Sequence, residues 1–160
     1  MIPPLPMLAT ETILVVDDSP MVLEAVSVIL KKAGFTLLSA SSAEEAIQIS
    51  LDFVGTIHLL LTDIMMPGMS GPDLANKLIE KRADLRVMCM TGYADGDLLL
   101  LNYGWHLIKK PFVSALLREK VDAILHSPDR SQGTDHFDTT PKVCGAADSP
   151  KSSVSTTTRE

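Results

Sequence analysis

The sequence predicts an α/β fold in which a parallel sheet is covered by helices on both faces. Three observations carry that expectation. Five short apolar runs alternate with segments of helical periodicity along the chain. The run Ile13–Val16 is apolar on both of its faces, as in a strand buried from two sides. Helix-punctuating residues, among them Ser19-Pro20, Gly34, the Ser42/Glu45 pair and Ser70 with Pro72, sit at the joints between the runs.

Residues 1–11 read as an irregular leader, interrupted by prolines. Thr12–Val16 is too short for a helix and forms a central strand. Ser19-Pro20 supplies a cap and a first-turn proline, and Val22, Ala25, Val26, Ile29, Leu30 and Ala33 keep helical spacing until Gly34 stops it. Phe35–Ser39 is the second strand. Ser42 with Glu45 forms a capping box for a helix running to about Leu51, and Ile57–Thr62 is the third strand. Ser70 and Pro72 open a helix with Leu74, Leu78 and Ile79 inward, and Arg86–Met90 returns as the fourth strand.

Between Thr91 and Trp105 there is room for only a shortened fourth helix around Leu98–Asn102, whose consecutive leucines exceed one buried stripe. Trp105–Ile108 is the fifth strand. A last helix begins near Phe112 and buries Val113, Leu116, Leu117, Val121, Ile124 and Leu125. Residues 127–160 turn to Ser, Thr, Asp, Gly and Pro without periodicity and read as a disordered tail with no output domain.

Bulk composition agrees. A chain of 160 residues with 46% hydrophobic content, four Phe and one Trp suits one domain with an aliphatic core. The net charge of −6 argues against a nucleic-acid partner, which needs a basic face. No apolar run approaches the ~18 residues of a membrane span. Cys89 falls in a buried strand and Cys144 in a polar tail, so free thiols and a reducing, cytoplasmic setting are expected.

The strand ends carry the chemistry. Ile13–Val16 stops at Asp17-Asp18, the third strand at Asp63, the fourth at Thr91, and the fifth at Lys109-Lys110-Pro111. Open α/β sheets place ligands at this edge. Crowded carboxylates need a raised pKa or a divalent cation, and a hard, oxygen-only set of few ligands suits Mg²⁺. Lys110 adds a point charge for a phosphoryl oxygen and Thr91 a hydroxyl for another. Asp63, alone before the turn Met65-Met66-Pro67-Gly68-Met69-Ser70-Gly71, is the best nucleophile. Taken singly, each Asp reads as a helix cap, Lys110 as a solvated charge and Thr91 as a loop residue. The joint pattern, in register with the strand ends, points to phosphoryl transfer onto a carboxylate.

Ile13-Leu14-Val15-Val16-Asp17-Asp18, Thr62-Asp63-Ile64-Met65-Met66-Pro67-Gly68-Met69-Ser70-Gly71, Met90-Thr91-Gly92-Tyr93 and Lys110-Pro111-Phe112 together resemble the response-regulator receiver domain of two-component signalling. The resemblance covers residues 12–126. It implies a flavodoxin-like (βα)5 doubly wound sheet of order 2-1-3-4-5. It implies that Asp63 accepts a phosphoryl group from a phosphohistidine of a sensor histidine kinase or histidine phosphotransfer protein. Asp18, Asp63 and the Met65 carbonyl would hold Mg²⁺, with Asp17 acting through water. Lys110 would contact the phosphoryl group, Thr91 would swing toward it, and Pro111 would follow a cis bond. Output would be altered binding of a downstream protein by a monomer or a weak, phosphorylation-dependent dimer, without nucleic acid or membrane.

Three positions depart from the family pattern. Leu107 stands where an aromatic switch partner is common, which leaves the coupling to Thr91 weakened or moved to Trp105 or Tyr93. The Thr91–Lys110 segment is short, reducing a face that partners use. Met65 and Tyr93 stand where polar side chains place the attacking water, so a long-lived phosphoryl group is expected.

Other readings fit less well. A receiver excised from a hybrid histidine kinase shares the same motifs. A phosphorylation-independent scaffold is opposed by the intact Asp17, Asp18, Asp63, Thr91 and Lys110. A haloacid-dehalogenase phosphatase wants an acid where Met65 stands, and flavin phosphate would be repelled by Asp17-Asp18. The chain is therefore expected to act on no substrate beyond its own phosphoryl group.

Overall fold

A computed structural model describes residues 10–92 and 104–126. The elements in order are β1 (Thr12–Val16), α1 (Pro20–Lys32), β2 (Thr36–Ala40), α2 (Ala43–Asp52), β3 (Leu59–Asp63), α3 (Gly71–Lys81), β4 (Arg86–Thr91), β5 (His106–Lys109) and α4 (Ser114–His126). The expected leader up to Ala9, the helix around Leu98–Asn102, Tyr93, and the tail with Cys144 lie outside the described residues. No helix among the described residues is long and apolar enough to cross a membrane.

All strand pairs are parallel, in the order β2-β1-β3-β4-β5. The period of two in a strand sorts its side chains onto the two faces. Leu14, Val16, Leu60, Val87 and Cys89 face a core closed by α2 and α3 through Ala43, Ala46, Leu74, Ala75 and Leu78. Ile13, Val15, Leu59, Leu61, Met88 and Met90 face a second core closed by α1 and α4 through Val26, Leu30, Leu117, Val121 and Ile124. Burying each large aliphatic side chain contributes about 1.5–3 kcal/mol, so both faces drive assembly of the sheet. Strand order reverses between β2-β1 and β1-β3, and the crevice at that reversal opens at the C-terminal ends of β1 and β3.

Helix punctuation follows the sequence with local differences. α1 ends in a Schellman arrangement: Gly34, at φ +98°, donates its N–H to Lys31 O and Phe35 donates to Leu30 O. Phe35 thus belongs to the turn, which is why β2 starts at Thr36 and not at Phe35. Ser42 Oγ accepts the Glu45 N–H at 3.2 Å, but the Glu45 carboxylate reaches Ser41 N and Oγ where a capping box would return it to Ser42. Those bonds hold the Glu45 carboxyl below its usual range. Ser70 Oγ caps α3 by accepting from Asp73 N.

Some boundaries and faces are corrected by the structure. β3 begins at Leu59, two residues after Ile57; just ahead of it the Thr12 N–H donates to the His58 ring, at Nδ1, 2.9 Å away, where the ladder would offer a backbone carbonyl. β5 begins at His106, one residue after Trp105. α4 begins at Ser114, so Val113 precedes it and is 68% exposed, and Leu116 lies off the buried stripe of Leu117, Val121 and Ile124 at 38%. Ala25 of α1 is also exposed, while Val26 and Leu30 carry the burial.

Candidate functional site

The register of β1 against β3 pairs Val16 with Thr62, so the residues that follow, Asp17 and Asp63, emerge side by side. Asp18 joins them, and one carboxylate oxygen from each of the three acids lies within 4.8 Å of the others. Asp17 is completely buried, Asp63 partly so, and Asp18 is exposed.

Each acid has a different environment. Asp17 spends both oxygens within the protein: Oδ1 accepts the Ser19 N–H at 2.9 Å and Oδ2 the Lys110 ammonium at 2.7 Å. Ser19 therefore gives its backbone to Asp17, and its side chain makes no capping bond to α1, contrary to the cap expected from Ser19-Pro20. Lys110 Nζ also stands 3.5 Å from Asp63 Oδ1. One ammonium thus pairs with two of the three clustered carboxylates. Burial pushes the Asp63 carboxyl above its usual range; Lys110 opposes the rise, the negative charge of Asp17 adds to it, the Ile64 N–H opposes it, and Asp18 adds a little more.

Such a site fits a hard divalent cation. The donors are all oxygens, the ammonium leaves a negative excess, and Asp18 and Asp63 retain the coordinating capacity that Asp17 has committed to Ser19 and Lys110. Met65 follows Asp63 by two residues in the turn before α3, with its side chain 62% exposed and so directed away from the core.

β4 and β5 complete the edge. Thr91 is the last residue of β4 and is buried, and its carbonyl accepts the Lys110 N–H at 2.7 Å. That bond sets Lys110 directly beyond the last ladder pair, Thr91 with Lys109. The Lys110-Pro111 bond is cis, as the resemblance implied. Leu107 of β5, paired to Cys89, and Trp105 just ahead of the strand both pack against the α2/α3 core. The Cys89 thiol is free, and burial with the nearby Asp63 charge pushes it up to about 12.

The structure therefore brings Asp17, Asp18, Asp63, Thr91 and Lys110 to one edge. The tie between Lys110 and Asp17, 93 residues apart, has no local sequence signal, whereas the bond from the Ser19 N–H is an i→i+2 Asx turn whose only signal is an Asp two residues ahead. A family model for the response regulator receiver domain matches residues 13–122. The chain belongs to the response regulator receiver family.

Among its relatives, this receiver is 33% identical over 119 residues to a cyclic di-GMP phosphodiesterase of Thermotoga maritima, covering 72% of the chain and 31% of that protein. It is 33% identical over 120 residues to the phosphate regulon transcriptional regulatory protein PhoB of Pseudomonas aeruginosa, covering 72% of the chain and 52% of that protein. The match thus spans at most about half the length of these curated relatives. A solved structure, the response regulator TrrA of Thermotoga maritima in complex with Mg²⁺–BeF, superposes with a TM-score of 0.65 at 31% identity, covering 72% of this receiver and 100% of that chain.

Proposed function

We propose that this receiver accepts a phosphoryl group on Asp63 from a phosphohistidine of a sensor histidine kinase or histidine phosphotransfer protein, and signals through altered binding of a downstream protein. The observation that carries the reading is the gathering of Asp17, Asp18 and Asp63 within 4.8 Å beside the Lys110 ammonium. In the transfer an Asp63 carboxylate oxygen bonds to phosphorus as the bond from phosphorus to the imidazole nitrogen breaks, and the departing imidazole takes up a proton. Lys110 exchanges part of its hold on the acids for a phosphoryl oxygen, and the Thr91 hydroxyl donates to another. Asp18, Asp63 and the Met65 carbonyl would hold Mg²⁺, with Asp17 acting through water; bound there, the cation would supply charge neutralisation to the three acids.

The chain acts on no external substrate in this reading; it promotes acceptance and slow loss of its own phosphoryl group. The exposed, apolar Met65 offers no side-chain hydrogen bond to an attacking water, which supports a long lifetime. The buried free thiol of Cys89 supports a reducing, cytoplasmic setting, with the receiver a monomer or a weak dimer formed on phosphorylation.

The test is incubation with Mg²⁺ and acetyl phosphate followed by intact-mass measurement. The parent gains the mass of one phosphoryl group and keeps it for minutes, whereas Asp63→Asn gains none. Equal labelling of parent and variant, or loss of the label within seconds, contradicts the reading.

A further inference from the structure

Gly71 opens α3 immediately against the main chain of Asp63. A Cβ built on Gly71 would stand 2.1 Å from the Asp63 carbonyl oxygen, 3.0 Å from its carbonyl carbon and 3.2 Å from Ile64 Cα. Ordinary contact begins near 3.4 Å, so a methyl group there would force the two backbones apart by about 1.3 Å. The demand for glycine is steric at this position, since Gly71 is not among the positive-φ glycines.

The same carbonyl also accepts a hydrogen bond. The Thr62 hydroxyl, on a completely buried side chain, donates to Asp63 O at 3.0 Å. The next peptide is clamped as well: Ile64 N–H donates to Met90 O at 3.1 Å, and Ile64 O accepts the Gly71 N–H at 2.9 Å. Asp63 therefore leaves β3 through a peptide whose carbonyl is in contact with both the Thr62 hydroxyl and the first residue of α3.

We infer that Thr62 and Gly71 are positioning residues for the acceptor: together they fix the Asp63 carbonyl, and with it the carboxylate and the turn through Met65. Neither touches the carboxylate. The inference rests on Asp63 being the phosphoryl acceptor. Displacing a reacting group by 1 Å can slow a reaction about 100-fold, and the displacement that a methyl group at Gly71 requires is of that size.

The experiment compares parent, Gly71→Ala, Thr62→Val and Ile79→Ala, the last weakening α3 on its half-buried flank away from Asp63. Labelling by acetyl phosphate is followed as a function of donor concentration, beside urea midpoints. The expected result is a saturating rate at least tenfold lower for Gly71→Ala and at least threefold lower for Thr62→Val, with the donor KM within about twofold of the parent. Ile79→Ala keeps the parent rate despite its lower midpoint. If Gly71→Ala does not fold, Thr62→Val decides alone.

Parent-like rates in the folded variants, or an equal slowing in Ile79→Ala, overturn the inference. A parent that takes no label sinks the acceptor reading, and this inference with it. A labelled parent beside equally labelled variants sinks this inference alone.

Discussion

The Lys110 ammonium bonds Asp17 at 2.7 Å across 93 residues of sequence, nearer than its 3.5 Å approach to Asp63. It joins the end of the last strand to the end of the first, and it gives a cationic partner to a carboxylate with no solvent exposure.

Removing Lys110 leaves that buried charge without its partner. Lys110→Met is expected to destabilise the fold by about 2–3 kcal/mol, below the roughly 3–5 of a fully enclosed pair because the ammonium retains some access to water. Adding Asp17→Asn should return much of the loss. Urea unfolding of both single variants and the double variant measures the coupling, and additive losses would contradict the pairing.

Asp63 gives a pH dependence of definite sign. Its folded carboxyl titrates above the ordinary value, chiefly through burial, so the folded state binds the proton more tightly than the unfolded chain. Below the ordinary carboxyl range Asp63 is neutral in both states and costs nothing; as pH rises through the raised folded value, the full cost of the buried charge appears. Asp63→Asn should therefore exceed the parent in stability at pH 7 by about 0.5–2 kcal/mol. That gap should close on acidification. Denaturation curves collected from pH 3 to 8 check both the sign and the closing.

Magnesium should stabilise the parent by mass action. At a concentration 100 times the dissociation constant, binding to the folded state alone adds about 2.7 kcal/mol. The rise in Tm should disappear with EDTA and should be reduced in Asp18→Asn, while Asp63→Asn should lose most of it. Thermal melts with and without the cation give the comparison; a shift of parent size in Asp63→Asn would exclude that carboxylate as a ligand.

Arg82 separates stability from chemistry. Its Nε donates to Ser50 Oγ, Nη2 to the carbonyls of Ser50 and Phe53, and Nη1 to Gly55 O, tying the end of α3 to the α2–β3 connection. Arg82→Ala should cost about 2–3 kcal/mol through lost charge-assisted bonds, with the labelling rate of the folded protein unchanged. Arg82→Lys should recover little, because one ammonium cannot span carbonyls on both sides. Chemical unfolding beside mass-based labelling distinguishes the two effects.

Much of the architecture was legible because the central strands are apolar on consecutive positions and the helices carry glycine and serine punctuation. Boundaries slipped where apolar residues lie just outside the ladder. Phe35 completes the turn after α1, Ile57 is buried ahead of β3, and Trp105 packs on the core one residue before β5. Sequence periodicity records burial, which continues past the last hydrogen-bonded residue. The site acids were legible as strand-terminal residues, but their unequal environments were not. Which carboxylate Lys110 would hold depends on the crossing of β1 and β3 and on the distance from β5, properties of the assembled sheet.

His126, the last residue of α4, places Nε2 3.1 Å from Glu11 Oε1, just ahead of β1. Entry to and exit from the receiver therefore share one pole, and the acidic crevice occupies the opposite one. A tether fastened at either residue would leave the mouth of the crevice clear for a visiting protein. By the same token, a peptide linker of a few residues could join His126 back to Glu11, letting new termini be opened elsewhere without rearranging the strands.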